Sequence, residues 1–174
     1  RPLAKSLLDV VVKERIFHVG RLDYMTSGLI FYTNDGEFAR ALTHPSRKVE
    51  KEYVVTTKSE IPEGLMARFL EGITVEGVRY KASEAVLDGP RTARIVLTEG
   101  KNKELRRVFL SVAVSIKKVH RIRIGPVQLR GISSGHFRNL RENEIKALVS
   151  GNSGARRTGE HRRPQSRGNN GRRN

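Results

Sequence analysis

The sequence predicts an α+β fold on a largely antiparallel sheet, and three observations indicate this class. Short apolar segments of strand length outnumber the helical segments between them. Several of these segments are separated by the few residues that a hairpin needs, which favours α+β over a doubly wound parallel sheet. Apolar residues make up 37% of the chain, enough for a modest core.

The elements of the first half follow from apolar periodicity and from the residues that start or stop regular structure. Ser6 is a helix cap and Pro45 a helix stop, while Pro62 and Gly72 bracket another helical segment. In order, we predict a helix over 6–13, a buried strand over 28–33, a turn and helix over 34–45, a strand over 51–58 and a helix over 62–72.

In the second half, a turn at Gly77 and one strictly alternating segment give the clearest signals. Arg121 and Arg123 alternate with Ile122 and Ile124, which predicts a strand with both arginines on one face. That face is either solvated or directed at a ligand. In order, we predict two strands within 73–89, a strand over 91–100, a helix over 101–112, a strand over 115–125, a short extended segment over 135–140 and a helix over 141–149.

The helix over 101–112 has one apolar face, formed by residues at positions i, i+3, i+4 and i+7 from Leu105. At about 100° per residue, Arg107 points away from this face and Arg106 lies at its edge. An arginine at the edge can bury its stem and reach a partly buried carboxylate. We therefore expect Arg106 at a site in the protein and Arg107 in solvent or against phosphate.

The composition indicates a polyanionic partner and excludes several kinds of site. The formal net charge is +16 and the isoelectric point is near 10.9, so a nucleic acid is the expected ligand. No apolar stretch approaches the length of a membrane span. There is no cysteine, and the five histidines are scattered, so we expect neither disulfides nor a metal site. The absence of cysteine also suits a cytoplasmic protein.

The chain divides at about residue 150 into a folded domain, 1–150, and a tail, 151–174. The tail is rich in Gly, Asn, Ser and Arg, with seven arginines against Glu160, and it has no apolar residue bulkier than alanine. Such a segment cannot bury enough surface to offset its ordering entropy, so we expect it to be disordered. It is either an electrostatic tether for nucleic acid or a solubilising tail.

Five segments, in this order, carry a family resemblance: GRLD, LTHPSRKVEKEYVV, LTEGKNKELRRVF, HRIRIGPVQL and GHFRNLRENE. Together they resemble the RsuA/RluB/RluE/RluF group of ribosomal RNA pseudouridine synthases, over residues 17–144. In the segment HPSRKVEKEYVV and in the tail, the sequence is most similar to the RluB type. Members of this group carry an S4-type RNA-binding domain and a catalytic-domain strand before the matched region. The resemblance therefore implies an N-terminally truncated catalytic domain with the pseudouridine synthase fold.

The resemblance also implies the reaction and the residues that perform it. These enzymes isomerise uridine to pseudouridine in folded RNA without a cofactor. By carry-over from the family motifs, Asp23 is the catalytic carboxylate, Tyr53 stacks on the target uracil and Arg106 pairs with Asp23. Arg21 matches an arginine that fills the space left by the extruded nucleotide. We expect apolar surroundings to hold Asp23 out of bulk water and Arg106 to keep it charged.

The predicted partner is ribosomal RNA, bound by a monomer without metal, cofactor or membrane. The 23S RNA of the large subunit is the first expectation, and the 16S RNA of the small subunit is the alternative. A non-catalytic RNA-binding fragment remains the reading from a different class. Beside the catalytic residues, the candidate RNA-binding cations are Arg21, Lys51, Lys101, Lys103, Arg107, Arg121 and Arg123.

Overall fold

A mixed six-stranded sheet forms the centre of the chain in the computed structural model, which describes residues 4–9, 11–101 and 103–151. Its main path has the order β10-β9-β4-β8-β7, and every pair along that path is antiparallel. The predicted α+β class is confirmed. The described strands are β1 (Phe17–Val19), β2 (Thr26–Gly28), β3 (Phe31–Thr33), β4 (Lys51–Thr57), β5 (Ile73–Val75), β6 (Val78–Tyr80), β7 (Glu84–Gly89), β8 (Thr92–Leu97), β9 (Ile116–Ile124) and β10 (Val127–Gln128).

The helices begin and end where the sequence places caps and breakers. Asp35 caps the first helix by accepting a hydrogen bond from the Phe38 amide at 3.0 Å, and Pro45 lies just beyond its end. Gly72 closes the second helix with a backbone hydrogen bond to Arg68. The described helices are α1 (Gly36–Thr43), α2 (Leu65–Glu71), α3 (Glu104–Leu110) and α4 (Glu142–Ser150).

Two hydrophobic clusters flank the sheet. The larger one contains Phe69 of α2 and Phe109 of α3, packed on strands β4, β8 and β9. The smaller one joins Phe31, Leu42 and Leu148 with the end of β9. The predicted apolar face of α3 is confirmed, because its residues belong to the larger cluster. The two helices α2 and α3 thereby hold β4 and β9 in fixed positions.

The short parallel strand β2 delivers the segment before it onto the edge of β9. Its register pairs Gly28 with Arg121, and Leu29 donates a backbone hydrogen bond to the Arg121 carbonyl at 2.9 Å. Gly28 has a φ of +109°, and a Cβ there would overlap backbone atoms of Arg121. Only glycine allows this close approach. The GRLD segment is therefore positioned directly above β9.

A β-bulge changes the direction of the two arginines of β9. Tyr53 of β4 lies opposite Arg121 and its neighbour Glu52 lies opposite Arg123, so Ile122 is an extra residue in the ladder. Since Glu52 and Tyr53 are consecutive on a strand, Arg121 and Arg123 point to opposite faces. The predicted single basic face is wrong. Both arginines are buried, at 3% and 8% exposure respectively.

Other differences from the predicted elements are local. In place of a helix over 6–13 there is a 3-10 turn at Ala4–Leu7. The strand over 28–33 is divided between β2 and β3, and residues 135–140 form neither helix nor strand. The tail beyond residue 151 lies outside the described residues. No helix in the described ranges is long and apolar enough to span a bilayer.

Candidate active site

An open cleft of about 940 Å³ lies between the GRLD segment, β4, β9 and the N-terminal end of α3. It contains every residue that the sequence assigned to catalysis: Asp23, Tyr53 and Arg106. Five of the seven predicted RNA-binding cations also line it: Arg21, Lys51, Lys101, Lys103 and Arg121. The cleft is thus rich in cations and has one aromatic residue of β4 on its floor.

Asp23 begins a tight turn at the mouth of the cleft. The Thr26 amide donates to the Asp23 carbonyl at 2.9 Å, and Met25 has a φ of +72°. A positive φ at the third position is the mark of a type II turn, where glycine is usual. Tyr24 and Met25 stand out from the surface at 75% and 58% exposure. The turn therefore presents two large side chains beside the carboxylate.

Two arginines hold the main chain on either side of Asp23. Arg106 donates through Nη2 to the Met25 carbonyl at 3.0 Å, and Arg121 donates through Nη1 to the Arg21 carbonyl at 3.3 Å. Arg121 also donates through Nε to the Leu29 carbonyl at 2.7 Å. These contacts span the segment from both ends, so the position of Asp23 depends on its backbone rather than on its carboxylate.

The expected burial of Asp23 and its pairing with Arg106 are both wrong in this structure. Asp23 is exposed, and no ion pair within 4.0 Å joins it to Arg106 among the described residues. The physical reason is the turn: it lifts the carboxylate to the cleft mouth, and Arg106 binds the carbonyl of Met25 instead. The choice of Arg106 over Arg107 agrees with the structure, since Arg106 lines the cleft and Arg107 does not, but the partner of Arg106 is a main-chain carbonyl and not a carboxylate.

Tyr53 and Lys51 lie on the same face of β4 and look into the cleft. Tyr53 is half-buried, packed against the larger cluster and opposite Arg121 in the ladder. Burial lowers the pKa of Lys51 below its ordinary value, and the charge of Arg121 lowers it further. Lys51 donates through Nζ to the Val49 carbonyl at 3.0 Å.

Lys101 and Lys103 form the rim of the cleft at the start of α3. Lys101 pairs with Glu99 at 2.8 Å and also donates to the Arg79 carbonyl at 2.7 Å. Lys103 is exposed and precedes the first residue of α3. Both side chains line the cleft.

Glu104 is a residue of the cleft that the sequence prediction missed. It is 4% exposed, and its Oε2 has no hydrogen-bond partner in the described part of the chain. Burial raises the pKa of its carboxyl group to about 7; Glu99 adds to the rise, and Lys101 and two backbone amides oppose it. The signal was available, because Glu104 stands four residues before Val108 on the apolar face of α3.

Two predicted RNA-binding arginines lie outside the cleft. Arg107 pairs with Glu76 at 2.6 Å on the surface, where its contact with RNA stays a prediction. For Arg123 the structure corrects the prediction: it is buried and pairs with Glu50 at 2.9 Å and Glu52 at 2.7 Å. Two carboxylates therefore neutralise Arg123, and its charge is not available to a ligand.

Comparison with known proteins decides the family. The family model described as RNA pseudouridylate synthase matches residues 2–111. The chain belongs to this family. The resemblance to the RsuA/RluB group is confirmed as well, because two similar proteins are named ribosomal large subunit pseudouridine synthase B.

Several RNA pseudouridine synthases of bacteria are similar to this chain. An RNA pseudouridine synthase of Borreliella burgdorferi is 43% identical over 150 residues, which cover 86% of this chain and 60% of the relative. Ribosomal large subunit pseudouridine synthase B of Bacillus subtilis is 37% identical over 143 residues, 79% of this chain and 59% of the relative. The chain therefore spans about three fifths of the length of these relatives.

A solved structure supports the fold of this member of the family. A crystal structure of a pseudouridylate synthase superposes with a TM-score of 0.80 at 28% identity, and the match covers 85% of this chain and 66% of that one. Among the described residues, no cluster of His, Cys, Asp or Glu is arranged to hold a metal ion.

Proposed function

We propose that the chain isomerises a uridine of ribosomal RNA to pseudouridine, with Asp23 as the essential carboxylate. The observation that carries this proposal is the meeting of Asp23, Tyr53 and Arg106 in one basic cleft. These residues come from three distant parts of the chain, and the resemblance of the sequence motifs implies a role for each of them. A cytoplasmic location and a monomeric state stay predictions.

The reaction needs a carboxylate but no outside reagent. The bond between uracil N1 and sugar C1′ breaks, the base turns, and a bond forms between C5 and C1′. The proton that leaves C5 is balanced by the proton that N1 gains. An ionised carboxylate assists at the sugar either by attack on an electron-poor carbon, as in glycosidases, or by removing a proton. Asp23 projects from the turn with no described ion partner, so its carboxylate is free to approach the sugar.

Tyr53 supplies the platform for the extruded base. Extrusion of a stacked nucleotide costs a few kcal/mol, and stacking on an aromatic ring returns on the order of 1–3 kcal/mol per base. The ring of Tyr53 is fixed by packing against the larger cluster, so it loses little freedom when uracil stacks on it. A uridine in a loop or a distorted stem costs the least to extrude.

The target is proposed to lie in the 23S RNA of the large subunit. Support comes from the relatives of Bacillus subtilis and Pseudomonas aeruginosa, both called ribosomal large subunit pseudouridine synthase B. The net charge of +16 suits a phosphate-rich partner of either subunit. Affinity for RNA therefore does not distinguish a large-subunit from a small-subunit target, and the position of the modified uridine does.

The test is to map pseudouridine in ribosomal RNA through carbodiimide adducts, from cells with and without the gene. One 23S position that loses its adduct in the deletion strain, and regains it with the intact gene, is the expected result. A lost position in 16S RNA would replace the large-subunit proposal with the small-subunit one. An unchanged map of both RNAs would leave only a non-catalytic RNA-binding role.

Asp23→Asn isolates the carboxylate. The variant is expected to keep the turn, because the hydrogen bonds at this segment use main-chain atoms. Turnover is expected to fall by at least ~10²–10⁴-fold with RNA binding retained. Asp88→Asn on the exposed β7 strand, outside the cleft, is the matched control and should keep full turnover. Measurable turnover by Asp23→Asn at the wild-type rate would remove Asp23 from the mechanism.

A further inference from the structure

Arg121 is a buried cation without a carboxylate. Arg121 donates through Nε to the Leu29 carbonyl and through Nη1 to the Arg21 carbonyl. Its Nη2 is buried and has no hydrogen-bond partner in the described part of the chain. The described ion pairs do not include it. A guanidinium at 3% exposure that lacks both an anion and one hydrogen bond is unfavourable in isolation.

Arg123, the other buried arginine of β9, differs from Arg121 in having carboxylate partners. Arg123 is two residues along the same strand and is buried as well, but it is bound by Glu50 and Glu52. The bulge at Ile122 sends Arg123 to the face with the two acids and sends Arg121 to the cleft. The same strand thus carries one neutralised arginine and one that has only carbonyl partners.

Lys51 brings a second cation to the same place. It lies on the cleft side of β4, two residues before Tyr53, which is opposite Arg121 in the ladder, and both cations line the cleft. Two positive charges in one cleft repel each other. In agreement, burial lowers the pKa of Lys51 and the charge of Arg121 lowers it further. The carboxylates that line the cleft, Asp23, Glu99 and Glu104, form no described ion pair with either cation. An anion between Arg121 and Lys51 would remove both the repulsion and the missing hydrogen bond.

We propose that Arg121 and Lys51 form a binding site for one phosphodiester of the RNA strand, next to the ring of Tyr53. The available groups are donors only, a guanidinium nitrogen and an ammonium. They suit a phosphate oxygen, which is a pure acceptor, better than a base edge, which mixes donors and acceptors. Tyr53 is the residue opposite Arg121 in the ladder, so base and phosphate of the same strand meet neighbouring side chains.

This inference rests on the proposed RNA substrate and deepens it, because it separates one buried phosphate contact from general attraction. The basic residues of the cleft rim, such as Lys103, are exposed. Their attraction for phosphate is screened by salt and becomes weaker as the ionic strength rises. A buried contact is expected to depend on one linkage of the RNA and to resist salt better than contacts on the rim.

The test compares Lys51→Met with Lys58→Met, an exposed lysine just beyond the same strand and outside the cleft. Each variant removes one positive charge from the chain. Binding of a fluorescent pentauridine is measured by anisotropy. We expect Lys51→Met to weaken binding ~10-fold and Lys58→Met about 2-fold or less. Equal losses in the two variants would overturn the site and leave only diffuse attraction.

A chemical variant of the ligand locates the contact. Each phosphodiester of the pentauridine is replaced in turn by an uncharged methylphosphonate. One linkage is expected to matter strongly for the wild type and not at all for Lys51→Met. If every linkage has the same small effect, no single phosphate is bound and the inference is wrong.

A second measurement does not depend on RNA. Inorganic phosphate, compared with chloride at equal ionic strength, should raise the melting temperature of the wild type and of Lys58→Met but not of Lys51→Met. Arg121→Lys, which keeps the charge and loses the second nitrogen, should lose the same response. Equal stabilisation of all variants would contradict the site. If phosphate stabilises the wild type as expected but the wild type forms no pseudouridine, the proposed function is contradicted and the phosphate site is not.

Discussion

The substitution Glu104→Gln tests the buried carboxyl group of the cleft. Burial raises the pKa of Glu104 from its ordinary 4.5 to about 7 in the folded chain. Between these two values the folded chain binds a proton that the unfolded chain does not. The free energy of unfolding therefore falls as the pH rises through this window. Glutamine has a similar shape and cannot ionise, so the variant lacks this fall.

The magnitude follows from the size of the pKa change. A rise from 4.5 to about 7 corresponds to at most about 3 kcal/mol, reduced by any water that reaches the open side of the cleft. In the variant, an amide group replaces a carboxyl oxygen, Oε2, that has no described hydrogen-bond partner. A buried amide donor without a partner shifts the unfolding free energy by a fixed amount. This offset is the same at every pH, so only the change of the difference with pH carries the result.

The assay is urea unfolding followed by circular dichroism at several pH values between 4.5 and 8. Relative to the wild type, Glu104→Gln should gain on the order of 2–3 kcal/mol in unfolding free energy between pH 4.5 and pH 8. Glu63→Gln, at an exposed position, is the control for loss of one negative charge. Parallel pH curves for Glu104→Gln and the wild type would show that Glu104 ionises equally in both states, and the reasoning would fail.

Two further predictions concern the floor and the edge of the site. Gly28→Ala should lose about 2–4 kcal/mol in urea unfolding, because of its positive φ and the overlap with Arg121, whereas Gly36→Ala, where a Cβ meets nothing, should be near neutral. Tyr53→Phe should keep most of the RNA affinity and Tyr53→Ala should lose ~10–100-fold in anisotropy titrations. Equal inactivity of both Tyr53 variants in turnover would assign the reaction to the hydroxyl group rather than to stacking.

Elements whose signals are local could be predicted from the sequence. Helix α1 has its cap at Asp35 and its stop at Pro45, and α3 has a continuous apolar face, so both were found. Strand β1 and strand β10 were missed, since three-residue and two-residue strands form only through partners distant in the chain or across a turn. The helix expected over 6–13 contains three consecutive valines, which restrict χ1 and weaken a short helix.

The side chains of the site were predictable in identity but not in their contacts. The motifs selected Asp23, Tyr53 and Arg106, and the structure brings all three to one cleft. The bulge at Ile122 has no sequence signal, because strict alternation of Arg and Ile is what an uninterrupted strand would also show. The opposite directions of Arg121 and Arg123 therefore emerge only from the pairing register.

The missing ion pair at Asp23 has a consequence for how the cleft works. Arg106 donates through Nη2 to the Met25 carbonyl at 3.0 Å, and no described ion pair joins it to the carboxylate of Asp23. By binding main-chain carbonyls, Arg106 and Arg121 hold the segment on both sides of Asp23, and the carboxylate of Asp23 has no ion partner among the described residues. The strained φ of Met25 is maintained by this bracing, as strain at functional turns usually is. If Arg121 binds a phosphate as proposed, the ligand contacts the same guanidinium that holds the Arg21 carbonyl. The proposal therefore predicts that binding of the RNA strand and the position of Asp23 are coupled.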